Sequence, residues 1–256
     1  ISRDTLQTAC GCVPALRTFN LPYVNRQDNR MAPNTFEAYV VYNQDPAARM
    51  DWVTGHITKM KQRNNSSFET MAEAAGASDA NDGMSLAGGR YHITEHSDIG
   101  VINYRAWDVM NIFYTEANTA WQLGADLAVR MSGQYTRQKS SGEELIGTFD
   151  TDVYGVKLDM SYHGMILTVA HTSTDSDSGI RNPYGGYPGY TSVIIQDFDR
   201  AGEEAWLLGL SWNAGRLGLD GLTLFANYVN GDTPDSGSAA SPDQQEFDLT
   251  TDYHFK

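Results

Sequence analysis

The chain has 256 residues, a formal net charge of −14 from 18 basic and 32 acidic side chains, and 11% aromatic residues. This length fits one large or two ordinary domains, and the acidic balance argues against a nucleic-acid partner because no basic run is present to neutralise phosphates. The sequence also contains no run of about 18 apolar residues, which excludes a transmembrane helix and leaves a soluble protein or a β-barrel.

The N-terminal segment contains two cysteines, Cys10 and Cys12, in the sequence ACGCV. Cysteines this close rarely form an unstrained disulfide, and no second cysteine cluster or suitable histidine pair follows to complete a metal site. We interpret both as incidental loop cysteines, and we expect no cofactor.

Alternation of apolar and polar residues with a period of two dominates the rest of the chain, and this pattern is typical of β-strands with one apolar face. The predicted strands lie at 35–42, 49–59, 84–94, 98–105, 119–133, 152–162, 165–172, 205–213, 222–230 and 246–255, with a weaker candidate at 190–196. The sequence therefore predicts about ten or eleven strands, and no amphipathic helix stands out.

The predicted connections alternate between short turns and long polar loops. Short turns are predicted at 94–98, 115–119, 162–165 and 213–221, and long loops at 62–83, 137–148, 173–203 and 231–244. This alternation is typical of an up-and-down outer-membrane barrel, in which turns lie on the periplasmic side and loops outside. A soluble β-sandwich also alternates, but its strands usually have about 5–6 residues. We therefore predict an all-β, transmembrane, antiparallel barrel.

The polar faces of these strands predict a lumen that is either a channel or a wet, partly plugged cavity, because burying so many ionisable groups without water would cost too much free energy. The predicted lumenal side chains are Glu37, Arg90, His92, Gln122, Asp126, Arg130, Lys157, Asp159, Glu246, Asp248 and Asp252. On the first long strand, the residues predicted to face lipid are Phe36, Ala38, Val40 and Tyr42.

Four segments carry a resemblance to a known family. They are LPYVNRQDNRMAPNTFEAYVV (21–41), LAGGRYHITEHSDIGVINY (86–104), SVIIQDFDRAGEEAWLLGLSWN (192–213) and GLDGLTLFANYVNGD (218–232). In order and spacing they resemble the OprD-type, substrate-specific outer-membrane porins of Gram-negative bacteria. The resemblance implies an eighteen-stranded barrel, so we expect this chain to be an internal piece that lacks the first and last strands. It implies one partial barrel over 1–256, with a third-loop segment at 1–34 and a seventh-loop segment at 173–203.

The resemblance also implies a function: passive, selective uptake of small carboxylates such as amino acids or aromatic acids, with lumenal arginines attracting the carboxylate. Arg30 matches the family's third-loop arginine before the proline, and Arg26 is a second candidate. Ser192 and Asp197 match seventh-loop positions that line the family's constriction. The alternative for the two arginines is a salt-bridged loop, and the alternative for Asp197 is a solvated loop acid.

Strand parity supplies three further candidates for pore-lining cations. Arg90 follows two glycines and alternates with apolar neighbours, which predicts that it faces the lumen. Arg130 and Lys157 are lumenal by parity alone. Arginine suits this task because it remains charged and binds a carboxylate through two parallel hydrogen bonds.

Two other functional classes remain as alternatives. A non-transporting surface module that binds sugars or adheres could use the Tyr/Gly-rich loop RNPYGGYPGY, at 181–190. An enzyme is disfavoured because the common nucleophile, zinc and phosphate-loop motifs are absent from the sequence. The expected partners are small carboxylates, outer-membrane lipid and lipopolysaccharide, and the sequence leaves open a monomer or a weak homotrimer.

Overall fold

The computed structural model describes residues 15–27, 32–43 and 48–254 of the chain. The predictions made for Cys10, Cys12 and Arg30 therefore lie outside the described residues. No helix in the described part of the chain has the length and hydropathy needed to cross a membrane.

Thirteen strands account for nearly all the regular structure in these residues, and eleven of them have nine or more residues. The strands are β1 (Ala15–Arg17), β2 (Thr35–Asn43), β3 (Met50–Lys61), β4 (Glu69–Thr70), β5 (Met84–Thr94), β6 (Ser97–Ala106), β7 (Met110–Gln122), β8 (Leu127–Ser140), β9 (Asp150–Tyr162), β10 (Met165–Thr174), β11 (Glu204–Asn213), β12 (Leu222–Asp232) and β13 (Gln244–Tyr253). One short α-helix, Met71–Ala74, and one 3₁₀ turn, Ala214–Leu217, complete the set.

All strands belong to one antiparallel sheet in which neighbours in sequence are neighbours in space, apart from β4, which pairs only with β3 among the described strands. Short connections lie at one end of the strands, which we call the turn end: 95–96, 123–126, 163–164 and 214–221. Longer connections lie at the opposite end, which we call the loop end: 18–34, 62–83, 141–149, 175–203 and 233–243. The β6–β7 connection, 107–109, is the exception among the described connections, since it lies at the loop end but is short. The predicted meander is confirmed.

The β9–β10 hairpin shows how the sequence encodes a turn-end connection. His163 and Gly164 both adopt positive φ, at 49° and 83°, as a two-residue hairpin turn matched to the strand twist requires. Glycine reaches this conformation without strain from a Cβ atom.

The outward face of β9 to β13 is apolar and exposed, in agreement with the predicted lipid-facing stripes. Its exposed residues include Tyr154, Val156, Leu158, Met160, Tyr162, Trp206, Leu208, Leu210, Phe247, Leu249 and Tyr253. A contiguous exposed apolar band of this extent fits contact with hydrocarbon, flanked by aromatic residues at its borders.

The predicted orientation of β2 is wrong. Phe36 and Ala38 are buried against the interior, whereas Tyr39 and Val41 are exposed outward, and Glu37 therefore lies on the outward face. The reason is that both faces of β2 are apolar, because the barrel interior at this level is packed and not wet. The distribution of polar residues along β2 therefore does not show which of its faces points inward.

Most of β7 was not predicted as a strand, for the same reason. Its inward residues Ile112 and Tyr114 are buried, so the strand lacks polar alternation, and the turn predicted at 115–119 lies inside the strand. The true turn, 123–126, interrupts the run predicted as one strand at 119–133 without breaking its period of two. The weak strand predicted at 190–196 is not a strand.

The outward face yields a stability prediction. We expect Leu158→Arg, near the middle of the apolar band, to lower the free energy of unfolding in lipid vesicles by about 2–4 kcal/mol. The measurement is denaturant unfolding of the full protein followed by tryptophan fluorescence. The neighbouring inward change Lys157→Gln is the control, and an equal loss in both variants would contradict the assigned faces.

Candidate functional site

The interior at the loop end is filled by two loops that fold into the space enclosed by the sheet. Tyr23 and Val24, from the connection 18–34, and Tyr184 and Tyr187, from the connection 175–203, are all buried in one apolar cluster with inward residues of β2 to β7. Apolar side chains and loop backbone therefore occupy the interior at this level, which agrees with the partly plugged cavity and not with an open channel here.

Tyrosines anchor the first loop to the wall. The Tyr23 hydroxyl donates to Thr136 Oγ1 at 2.9 Å, and the Tyr104 hydroxyl donates to the carbonyl of Pro22 at 2.5 Å. The Tyr23 ring also lies 6.1 Å from the Tyr114 ring and 6.2 Å from the Tyr187 ring. Each buried hydroxyl in these two bonds is satisfied while its ring adds to the apolar cluster.

The two inward loops contact each other through a reciprocal amide pair. Asn25 Nδ2 donates to the carbonyl of Gly186 at 3.0 Å, and the Gly186 amide donates to Asn25 Oδ1 at 2.8 Å. A Cβ atom at Gly185 would lie 2.7 Å from the backbone nitrogen of Asn25. Glycine is therefore needed at this position for the two loops to approach so closely. The pair joins segments 161 residues apart in sequence.

The second loop is also bound to the last described strand. Glu246, an inward residue of β13, accepts hydrogen bonds from the amides of Ile195 and Gln196, both at 2.8 Å. Closer to β11, Arg200 binds the fully buried Glu203 carboxylate through two nitrogens, at 2.6 and 3.1 Å. The Glu246 contacts hold the loop against β13, and the Arg200–Glu203 pair braces the loop from within.

A polar wall lies below the packed layer, toward the turn end. Arg90 donates to Asp98 and, at 3.0 Å, to Glu116. Asn118 Nδ2 donates to the same two carboxylates, and Ser132 Oγ donates to Asn118 Oδ1 at 2.7 Å. Arg90 therefore faces the interior, but its charge is opposed by two carboxylates.

Arg130 and Lys157 lie on the inward faces of the adjacent strands β8 and β9. Lys157 Nζ is 3.8 Å from Asp159 and 4.8 Å from the centre of the Tyr190 ring. Arg130 is exposed and makes neither an ion pair nor a hydrogen bond with any residue that the structure describes.

Tyr190 belongs to the second loop and is held at the wall. Gln134, with its amide oriented to satisfy both contacts, donates to the Pro188 carbonyl at 3.0 Å and accepts from the Tyr190 amide at 3.2 Å. The Tyr190 hydroxyl oxygen is buried beside Ser132 and has no well-formed hydrogen bond within the described residues. Burial, and then Glu116, raises the pKa of Tyr190, so its hydroxyl remains a donor.

The remaining predicted site residues are spread between these groups. Ser192 Oγ donates to Asp197 Oδ1 at 2.6 Å. The structure therefore brings these two predicted residues together, and each is occupied by its hydrogen bond to the other. The Arg26 amide donates to the Phe19 carbonyl, and the Arg26 carbonyl accepts from the Asn34 amide. Arg30 lies outside the described residues. The described part of the chain contains no group of acidic, histidine or cysteine residues that could hold a metal.

Sequence reasoning missed Tyr23, Asn25, Tyr190 and Glu246 as determinants of the site. Glu246 was predicted to be lumenal, but its role in holding the second loop depends on a contact 50 residues away. The only local signal was the density of tyrosine and glycine at 184–190, which the structure shows to be a buried segment shaped for close packing.

A family described as "outer membrane porin, OprD family" matches residues 16–256. Among curated proteins, Porin D of Pseudomonas aeruginosa is 21% identical over 213 residues, which cover 79% of this chain and 48% of that protein. The chain thus spans about half the length of this relative.

Solved structures from Pseudomonas aeruginosa share the fold. OpdK, crystallised with vanillate, superposes with a TM-score of 0.86 and 17% identity, covering 94% of this chain and 64% of OpdK. OpdG superposes with a TM-score of 0.83 and 20% identity, covering 94% of this chain and 62% of OpdG. The strands therefore adopt the arrangement of a β-barrel porin.

Loop docking generates a first prediction. We expect Asn25→Ala to speed proteolysis within 175–203 by roughly thirtyfold, because two hydrogen bonds between the loops, of about 1 kcal/mol each, are lost. Limited proteolysis with mass spectrometry measures the cleavage rate. Asn65→Ala, in an exposed part of another loop, is the matched control. An unchanged rate in Asn25→Ala would show that the loops dock independently.

A second prediction concerns Asp199, a loop residue that accepts from Asn182 Nδ2 at 2.8 Å. Burial, and then Asp197, raises the pKa of Asp199 to about 6 from an ordinary 3.8. The Asp199 carboxyl therefore holds its proton more tightly when the loop is docked than when it is undocked. Docking is consequently strongest below pH 3.8 and weakens as the pH rises through about 6. A neutral side chain here can also donate to Asn182 Oδ1, which has no partner among the described residues.

We accordingly expect Asp199→Asn to stabilise loop docking at pH 7 by about 2 kcal/mol and to flatten its dependence on pH between 4 and 7. Hydrogen exchange of the Ile180 amide, which donates to the Asp199 carbonyl, reports this stability after correction for intrinsic exchange. Asp235→Asn, at an exposed loop acid, is the control. Parallel pH profiles for the wild type and Asp199→Asn would contradict the assignment.

Proposed function

Because the chain belongs to the OprD family of outer membrane porins, we propose that it forms part of a water-filled channel for passive, selective uptake of small carboxylate-bearing solutes. Membership of this family places it in the bacterial outer membrane. The selectivity, the solute class and the transport activity of the whole protein belong to the proposal.

One observation carries the proposed selectivity: Arg130 faces the interior from β8 without an ion-pair partner among the described residues, and Lys157 lies on the same inward face of the adjacent strand β9. A carboxylate that leaves bulk water needs donors that replace its hydration. The exposed Arg130 guanidinium supplies such donors on this patch of wall. The crystallisation of OpdK with vanillate, a small carboxylate, supports the solute class.

Release of the solute follows from the same features. Arg130 is exposed, so water competes with the carboxylate and keeps the site weak, as conduction requires. Asp159, which lies 3.8 Å from Lys157 Nζ, lowers the local positive charge further. The patch therefore favours brief contacts over tight binding.

The other predicted residues take different roles in this proposal. Arg90, opposed by Asp98 and Glu116, acts as a brace of the wall and adds little to the attraction of anions. Arg26 and Arg30 remain proposed pore-lining cations of the first loop. The pair Ser192–Asp197 stiffens the second loop at the constriction.

We further propose that residues 1–256 act as one barrel unit, with 1–34 and 173–203 as the segments that form the constriction, and that the chain acts as a channel and not as an enzyme. The rival surface module loses its main support. Tyr184 and Tyr187, which it would display, are 0% and 7% exposed and cannot contact an external sugar or surface.

The proposal predicts the effect of Arg130→Gln. In planar bilayers containing the full-length protein, we expect small carboxylates to reduce the conductance of the wild type, and the concentration needed for half-block to rise about fivefold to tenfold in the variant. The reason is the loss of the fork of donors while the length of the side chain is retained. A panel of amino acids and aromatic acids identifies the preferred solute.

Arg137→Gln is the matched control, since Arg137 faces outward and is bound to Asp150. It should leave the block unchanged. Absence of conductance in the wild type would refute the channel, and equal block in Arg130→Gln and the wild type would refute the role of Arg130.

A further inference from the structure

A groove of ≈ 540 Å³ crosses the outward face of the sheet near the loop end, away from the lumen. Its volume falls within the usual range of ligand sites, about 300–1,000 Å³. The outward side chains that line it are Tyr39, Val41, Thr54, His56, Ser85, Ala87, Asn103 and Arg105.

The shape of the groove follows from the strand register. Thr54 pairs with Ala87, and Ala87 pairs with Asn103, so small side chains occupy the centre of three neighbouring strands. Taller residues stand on both sides, with Tyr39 on β2 and Arg105 on β6. A depression therefore forms between them on a surface that faces the membrane.

The loopward end of the groove is polar. Arg105 lies 4.5 Å above the Trp107 ring and has no ion pair or hydrogen bond with the residues described. Trp107 Nε1 donates to Ser85 Oγ at 3.1 Å, and His56 Nδ1 lies 3.1 Å from the same oxygen. An unpaired cation that faces lipid is costly unless an anion approaches it.

We propose that this groove binds an outer-leaflet lipid that carries a phosphate on its headgroup. The acyl chain lies over Thr54 and Ala87, and the phosphate accepts from the Arg105 guanidinium, whose planar fork matches phosphate oxygens. The orientation fits, because long loops of bacterial barrels face the exterior and tryptophan marks the border of the hydrocarbon. The inference depends on membrane insertion and not on the transported solute.

The test measures lipid affinity of the full-length protein in detergent micelles by native mass spectrometry. The probes are lipid A with two phosphates and its dephosphorylated form. We expect the wild type to prefer the phosphorylated form, and Arg105→Gln to weaken binding of that form about fivefold while leaving the other unchanged. Lys139→Gln is the control, since Lys139 faces outward on the same row of paired residues, outside the groove and 3.5 Å from Asp150.

A second variant, Ala87→Trp, fills the groove and should weaken binding of both lipid forms. Equal wild-type affinity for the two lipids, or equal effects of Arg105→Gln and Lys139→Gln, would overturn the proposal. Displacement of lipid A by millimolar inorganic phosphate would also overturn it, because the site would then bind an ion and not a lipid.

Discussion

Docking of two loops against the inner wall is the constraint on which the rest of the interior depends. Tyr23 is hydrogen-bonded to Thr136, and Asn25 pairs reciprocally with Gly186, so neither loop can leave the interior without exposing buried polar groups. The interior at the loop end of β2 to β7 is therefore packed and apolar, and the charged side chains Arg90, Asp98 and Glu116 lie in the layer below it. In the proposed channel, a solute crosses this second layer beside the loop residues that border it.

Within the polar layer, the presence or absence of neighbouring carboxylates decides whether each cation can attract an anion. Arg90 is opposed by two carboxylates, and its fork of donors is occupied. Arg130 has the same chemistry, yet it is exposed and retains its donors in the described surroundings. Arg90 and Arg130 both occupy inward positions in their strands, yet their electrostatic roles differ. A charged side chain attracts a distant ion only to the extent that neighbouring charges do not cancel it. On the outward face, Arg105 is likewise a cation without an ion pair among the described residues.

The sequence predicted the strands well wherever one face meets lipid and the other meets water. Leu158 and Lys157 were assigned to opposite faces by alternation, and the structure places them so. The same reasoning was wrong for Phe36 and Glu37, and it missed most of β7, because Ile112 and Tyr114 face a packed interior. Alternation reports a difference between two environments, and at the loop end both environments are apolar.

The sequence by itself determined the fold class, the long strands and the unequal connections at the two ends of the barrel, because these follow from local periodicity and turn residues such as His163 and Gly164. Only the tertiary structure decided which lumenal charges are compensated and where the lumen is packed. Contacts such as Asn25 with Gly186, 161 residues apart, and Glu246 with Gln196 join segments that share no local pattern. Their partners are set by the order of strands in the sheet and by loop docking, which no short stretch of sequence encodes.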